Sequence, residues 1–399
     1  MKKLTPDFKT IADFRKDNVD CIKPVFKEFV YLCRSLDLYG AQLVAIDGSK
    51  FKALNSKSNY FNEKTLALRL KRTEEKIAEY FKMLDENDRV EDASCKDEKA
   101  QRLEEKISKL EEKRQQYLQV QGQMKQTGQK EVSLTDADCR LMRVDSKKLD
   151  VCYNVQSAVD ARKHLIVDYD VTNCSTDHHQ LVNDAKTAKQ TLGGDTLEVS
   201  SDKGFYVMND VKECEDNGIT VFMPIPSFCP TKGVGVPEPE FGSDRFVYDS
   251  VKDVYVCPAG KELGFWKCSF KSKPERGRVY RTNCCVACAF RSRCTRNKLG
   301  RIVFRSEYQD VVDRLRARME TPDGKEKLIL RKETAEHPFG TMKRAFNQGY
   351  LLLKGLRKVR GEVGFTMLAY NIRRAINILG IGVLIASIGA FSFPKSLQG

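Results

Sequence analysis

The stretch "LVAIDGSKF", residues 43–51, decides how the rest of the chain is read. Mostly apolar residues run into an aspartate, and the chain then turns polar and basic. The pattern predicts a buried strand, "LVAIDGSKFKA", that ends near Gly48 and carries Asp47 at its polar end. A second apolar run, "LEVSSDKGF" (197–205), closes the same way on Asp202, followed by Lys203 and Gly204. In an open α/β sheet, groups at the carboxyl ends of strands face the ligand crevice. Two carboxylates there repel each other unless a cation lies between them. A pair of magnesium ions about 3.5–4 Å apart would fit and would suit in-line phosphoryl displacement. The plainer reading is that each aspartate caps its own Asp-Gly type turn.

Around these two strands the pattern predicts a mixed α/β sheet. Phe8, Ile11 and Phe14, then Val25, Phe26, Phe29, Val30 and Leu36, recur at helical spacing over residues 1–40. In 63–126, Ile77, Phe81 and Leu84, then Leu103, Ile107, Leu110 and Tyr117, repeat among charged residues on either side of the acidic break "DENDRVEDASCKDE" (85–98). That predicts an antiparallel helical hairpin inserted between strands. From 150 the period becomes two: "DVCYNVQSAVDA" and "HLIVDYDVTN" read as adjacent strands joined by "DARK". "STDHHQLVNDAKTAKQTL" reads as a helix capped by Ser175, Thr176 or Asp177. "VMNDVKECEDNG" reads as a helix with Gly218 past its end, and "ITVFMPIP" as the next strand. Strands crossed by helices in this order argue for a mixed sheet.

A third acid is sought in "RKETAEHPFGTMKR" (331–344). Glu336 reads as part of a helix first turn, where Pro338 is tolerated, and Lys343 follows two turns on along about the same face. Glu333 competes for the same role. A carboxylate for metal and a lysine for phosphate on one helix would make a nucleic-acid site.

The chain has 399 residues, 41% hydrophobic and 31% charged, with a formal net charge of +14. That is apolar material enough for a sizeable core and too much charge for a membrane protein, and the basic excess favours a polyanionic partner. The start, "MKKLTPDFKTIADF", has no apolar run after its lysines, so no signal peptide is expected. The apolar segment "AINILGIGVLIASIGAFSF" (375–393) reads as a packing helix or as a membrane-seeking tail. Of fourteen cysteines, six fall between Cys257 and Cys294. "YVCPAG" and "NCCVACAFRSRC" place Cys257, Cys285, Cys288 and Cys294 as one knuckle plus a C-x2-C-x5-C run, with Cys268 and Cys284 as spares. Structural zinc, reduced thiols and disulfides all remain open for this cluster. Arg281, Arg291, Arg293, Arg296 and Arg301 would make it basic. His178 and His179 read as an exposed helix start, and Trp266 as a packing residue.

The segments "AIDGSKFKALNS", "YNVQSAVD", "VTNCSTDHHQL", "SDKGFY", "AEHPFGTMKR" and "LAYNIRR" together resemble the DDE transposases of bacterial insertion sequences, in the large group with a ribonuclease H-like core. The resemblance runs in consistent order from about residue 1 to 380. It implies an α/β fold built on a ribonuclease H-like mixed sheet, with a helical-hairpin insertion, a Cys-rich β insertion and C-terminal helices. The divisions expected are 1–40 helical, 41–226 the first part of the core (63–126 the hairpin), 227–330 the insertion, 331–380 the core's closing helices and 381–399 the tail. It implies Asp47, Asp202 and Glu336 as catalytic acids and Lys343 as a contact to the DNA backbone; Mg2+ or Mn2+ is the metal expected on the acids, and Lys50, Lys203 and Arg344 are expected as further DNA contacts. It further implies double-stranded element ends and target DNA as partners, a homodimer on DNA, no membrane, and a cytoplasmic, nucleoid-associated place. A metal-dependent nuclease and an inactive DNA-binding remnant are the alternatives. The chain departs from the family at Ile329 and Lys332, where relatives carry tyrosine and arginine, and its start resembles a segment that follows an N-terminal helical region in relatives, which points to truncation.

Overall fold

The computed structural model describes residues 5–88, 96–128, 130–145, 148–226, 238–268 and 276–391. Two helices open it, α1 (Phe8–Asp17) and α2 (Ile22–Ser35). Then come β1 (Leu43–Lys52), β2 (Tyr60–Asn62), the long helices α3 (Glu63–Asp88) and α4 (Lys96–Thr127), β3 (Glu131–Ser133) and β4 (Arg140–Arg143). The core continues with β5 (Leu149–Asp160), β6 (Ile166–Thr172), α5 (Leu181–Leu192), β7 (Leu197–Ser201), α6 (Met208–Asp216) and β8 (Ile219–Phe222). A second sheet follows: β9 (Val247–Asp249), β10 (Val254–Val256), β11 (Glu262–Cys268), β12 (Gly277–Arg281), the one-turn α7 (Arg291–Cys294) and β13 (Ile302–Ser306). The chain closes on α8 (Gln309–Glu320), α9 (Pro322–Gly340), α10 (Leu356–Leu379) and α11 (Ile381–Ala390).

The main sheet is mixed, ordered β4-β5-β1-β7-β8, with β6 sharing the far edge of β5 with β4. β5 runs antiparallel to β1, β4 and β6, while β1, β7 and β8 are parallel. The period-two run from 150 does form a hairpin, β5–β6. β1 is longer than its sequence suggests. It does not stop at Gly48 but pairs with β5 through Lys52, opposite Cys152. Alternation explains this: Ser49 and Phe51 point to one face and Lys50 to the other, and Phe51 is buried where it meets β5 at Tyr153. Asp47 therefore lies inside a strand.

Helices cover both faces. On one side α9 lies across β1: Lys327 bonds Glu198 at the start of β7, Arg331 reaches Asp47, and Phe339 packs on Phe51. Residues 43, 45, 47, 49 and 51 share that face with 198 and 200, because paired residues of neighbouring strands project together. On the other side α5 packs on β1, β5 and β6. The free edge of β6 is closed by α10, whose Asn371 amide donates to the Ile166 carbonyl and whose oxygen accepts from the Ile166 N–H, both at 2.8 Å. A side chain thus satisfies the backbone groups an edge strand would otherwise offer to another chain.

The helices α3 and α4 pair with each other and bury Leu66, Leu70, Val120 and Met124 against Phe61 and Val132 of the β2–β3 ribbon. Of the predicted heptad residues, Ile107 is buried and Phe81 is exposed. The second sheet is antiparallel, ordered β13-β12-β11-β10-β9, around a small core of Phe246, Tyr255, Leu263, Tyr280 and Val303. Trp266 does not join that core: it sits at a bulge of β11, 39% exposed, with the Lys267 and Arg281 cations over its ring. In α11, Leu384 is buried and Ile381, Val383, Ile385 and Ile388 are exposed, and the end of the apolar segment, from 392, lies outside the described residues. Among the described residues no single helix is long and apolar enough to cross a membrane; α10 and α11 qualify only together, and they are bent by 112°.

Candidate functional site

Asp47 and Asp202 come together where β7 leaves the sheet. The parallel ladder of β1 and β7 ends at Ile46 opposite Ser201, so the next residue of each strand is an aspartate. Asp202 then caps a short turn: its carboxylate accepts from Gly204 N–H at 2.7 Å, and buried Phe205 pins the turn from below. Asp47 Oδ1 accepts from its neighbour Gly48 N–H at 2.9 Å. Each aspartate therefore makes the local turn contact of the plainer reading, and the two also share one site.

The two carboxylates are electrostatically coupled. Burial pushes the Asp47 carboxyl up to about 6, the Arg331 guanidinium 3.9 Å away pulls it down, and the Asp202 and Asp177 carboxylates push it up again. Burial and like charge both disfavour the ionised form. Directly opposite Asp47 on β5, Ser157 has a buried Oγ with no partner among protein atoms, and so does Thr334 on α9. The centre is thus rich in oxygen, short of positive charge and incompletely bonded. A hard divalent cation suits such a donor set.

A folded-state value near 6, against about 4 unfolded, fixes a sign. The folded chain holds this proton more tightly, so Asp47 favours folding below about pH 4, and that contribution is lost as pH rises through about 6. In chelator, Asp47→Asn is expected to stabilise the protein by up to about 2 kcal/mol at pH 7.5 and by nothing at pH 4. Urea unfolding at the two pH values checks this; equal effects at both would contradict it.

Asp177 was expected as a possible helix cap, but α5 begins only at Leu181 and Asp177 does not cap it. It lies against the opposite face of the sheet. There it accepts from Lys50 Nζ at 3.0 Å, Asn154 Nδ2 at 2.7 Å and Gln156 Nε2 at 2.8 Å. These three donors outweigh its own burial and lower its pKa. Lys50, expected to touch DNA, is engaged here. Gly48 is required at this point, because a Cβ would stand 2.5 Å from Asp177 Oδ1. The network holds the strand behind Asp47. Sequence reasoning missed Asn154, Gln156 and Arg331; polar residues inside an otherwise apolar strand, "CYNVQSAV", were the available signal.

Glu336 stands elsewhere than expected. The helix starts at Pro322, in the first-turn position that suits proline, so Glu336 lies in the last turns of α9 and Pro338 is inside the helix. It is exposed, roughly 140° around the helix from Arg331. The structure brings Asp47 and Asp202 together and does not bring Glu336 to them; Glu333 is exposed as well and neighbours His164 and His337. After α9 the chain winds into a wider π turn, Thr341–Ala345, where Lys343 is exposed but its side chain reaches back over β1. Its ammonium donates to Ser49 Oγ at 2.7 Å and lies 4.8 Å from the centre of the Phe51 ring, and burial lowers its pKa. Lys203 and Arg344 are exposed. His178 and His179 are exposed too, His179 3.2 Å from Asp210.

The cysteines of the second sheet also converge. Cys257, Cys285, Cys288 and Cys294 line one small cavity together with the exposed Cys284, while Cys268 is exposed on β11. All described cysteines are free. Among the described residues, no three His, Cys, Asp or Glu groups stand at metal-binding separations, here or at the aspartates.

A family model described as "Transposase DDE domain" matches residues 256–376. That span begins at β10, takes in the four cysteines and α9, and ends within α10. No curated protein and no solved structure matches the chain.

Proposed function

We propose that this chain, a DDE transposase on the strength of the matched span, cuts DNA at the ends of its element and joins them to a target. The observation that carries the reading is the pairing of Asp47 with Asp202 on one sheet face, at the point where β7 departs. The sheet supports a ribonuclease H-like reading of the core: an antiparallel β6-β5-β1 meander followed by parallel β7 and β8, with one acid on the first strand and one after the fourth.

DDE transposases use divalent metals, and the oxygen-rich, undercompensated centre at Asp47 fits such an ion. Asp47 and Asp202 would hold it, and Glu336 would complete the set through a movement of α9's last turns. When bound, magnesium or manganese activates the attacking hydroxyl and stabilises the leaving oxygen. The chain's own groups do the rest. The Asp177 network keeps β1 straight behind the site. Arg331 neutralises part of the Asp47 charge. Lys203, Arg344 and Lys343 would hold phosphates, and the charge of +14 would draw DNA in.

The test is an assay of the purified chain with magnesium, supercoiled target DNA and a labelled duplex carrying the inverted repeat that flanks its gene. Joined product supports the transposase. Nicking without joining supports a nuclease, and magnesium-independent binding with neither leaves a DNA-binding remnant.

A further inference from the structure

Among the described residues the second sheet has a core cluster of five buried residues, too few to order five strands and their loops without further support. Beside this core lies a cavity of about 30 Å³, room for a single ion and not for an organic ligand. Its lining includes five cysteines from two separate pieces of chain: Cys257 in the β10–β11 turn, and Cys284, Cys285, Cys288 and Cys294 in the segment between β12 and β13.

Both pieces have backbone shaped around sulfur. Around Cys257, the chain turns back so that Gly260 N–H donates to the Cys257 carbonyl and Lys261 N–H donates to Cys257 Sγ at 3.3 Å. Gly260 sits at φ 71°, which favours glycine. Around Cys285 the same device recurs: Arg301 N–H donates to Cys285 Sγ at 3.4 Å, and Gly300 sits at φ 82°. A Cβ on Gly300 would stand 2.6 Å from Cys285 Cβ and 3.1 Å from its sulfur. Backbone N–H groups aimed at sulfur stabilise a thiolate more than a thiol, since charge strengthens the hydrogen bond. C-x2-C spacing supplies two ligands from one short loop.

We propose that Cys257, Cys285, Cys288 and Cys294 bind one zinc ion that ties the β10–β11 turn to the β12–β13 segment. The four thiols lose four protons as the ion binds, and the site then carries a net charge of −2, with Arg301, 8% exposed, beside it. The sulfurs do not stand at ligand separations in this structure, and the ion draws them in. Cys268 lies outside the cavity, and Cys284, which borders it but is exposed where the other four are partly buried, takes no part. The site is structural: four thiolates leave no open position for substrate.

The full chain, purified without chelator, is expected to hold about one zinc per molecule by plasma mass spectrometry. Cobalt exchanged into it should give the thiolate charge-transfer and tetrahedral ligand-field bands of a four-sulfur site. Cys288→Ser should lower the bound metal at least about tenfold, whereas Cys268→Ser leaves it unchanged. Should Cys288→Ser fail to fold, thiol labelling of the unaltered chain decides. The proposal expects residues 257, 285, 288 and 294 to be shielded until a chelator is added and Cys268 to be labelled at once. Absence of zinc with all these thiols labelled alike before and after chelator overturns it, and so does a disulfide between any two of the four.

Discussion

Asp47→Ala is expected to lower magnesium-dependent cleavage of DNA by about 10³-fold or more, equivalent to about 4 kcal/mol of transition-state stabilisation. DNA retention on a filter should not change, because the lysines and arginines that grip phosphate are untouched. Asp202→Ala should have the same effect, and the double variant should lose little more than either alone, since the two carboxylates act as one site. The arrangement dictates this: the two residues lie at the same level of the sheet, where β7 departs, and the Asp202 carboxylate pushes up the proton affinity of Asp47. The expected order then separates Glu336 from Glu333. Glu336→Gln should approach the loss of the aspartate variants and Glu333→Gln should not. Cleavage within tenfold of the unaltered chain in Asp202→Ala would remove the shared site from the account.

Gly364→Ala is expected to be strongly destabilising, costing about 3 kcal/mol. A Cβ at this position on α10 would stand 2.1 Å from Tyr169 Oη and 3.0 Å from Ile22 Cγ2. Tyr169 cannot give way: it is buried edge-on to Phe26 with the Lys23 ammonium over its ring. The clash would lift α10 off β6 and α2 and withdraw Asn371 from the sheet edge. Gly122→Ala is the matched control. It lies inside α4 with nothing within 4 Å of the added carbon, so the helix gains about 0.5–1 kcal/mol. Urea midpoints at constant slope measure both; equal midpoints for the two variants would contradict the packing described here.

Much of this was legible in the sequence, for identifiable reasons. The β5–β6 hairpin announces itself because alternation over twelve residues is a local signal, and the hairpin connection is short. Asp47 and Asp202 could be paired because each interrupts an apolar run with the same polar, glycine-bearing sequel. What the sequence hid depends on partners far along the chain. β1 continues past Gly48 only because β5 offers Asn154, Tyr153 and Cys152 to pair with. Asp177 sits where a helix cap would sit, yet its carboxylate turns away to Lys50, Asn154 and Gln156, three donors that only the folded sheet assembles. Pro338 suggested a helix beginning, but α9 has its first-turn proline at Pro322, sixteen residues earlier. That misplacement moved Glu336 from the helix start to its end, and with it the expected facing of Lys343.

The central claim is that the Asp47 and Asp202 carboxylates create one divalent-ion site. Manganese binding by electron paramagnetic resonance, in the absence of DNA, tests it without relying on catalysis. The unaltered chain is expected to take up manganese in competition with magnesium, with affinity reduced at least about tenfold in Asp47→Asn and in Asp202→Asn. Unchanged manganese affinity in the Asp47→Asn, Asp202→Asn double variant would contradict it.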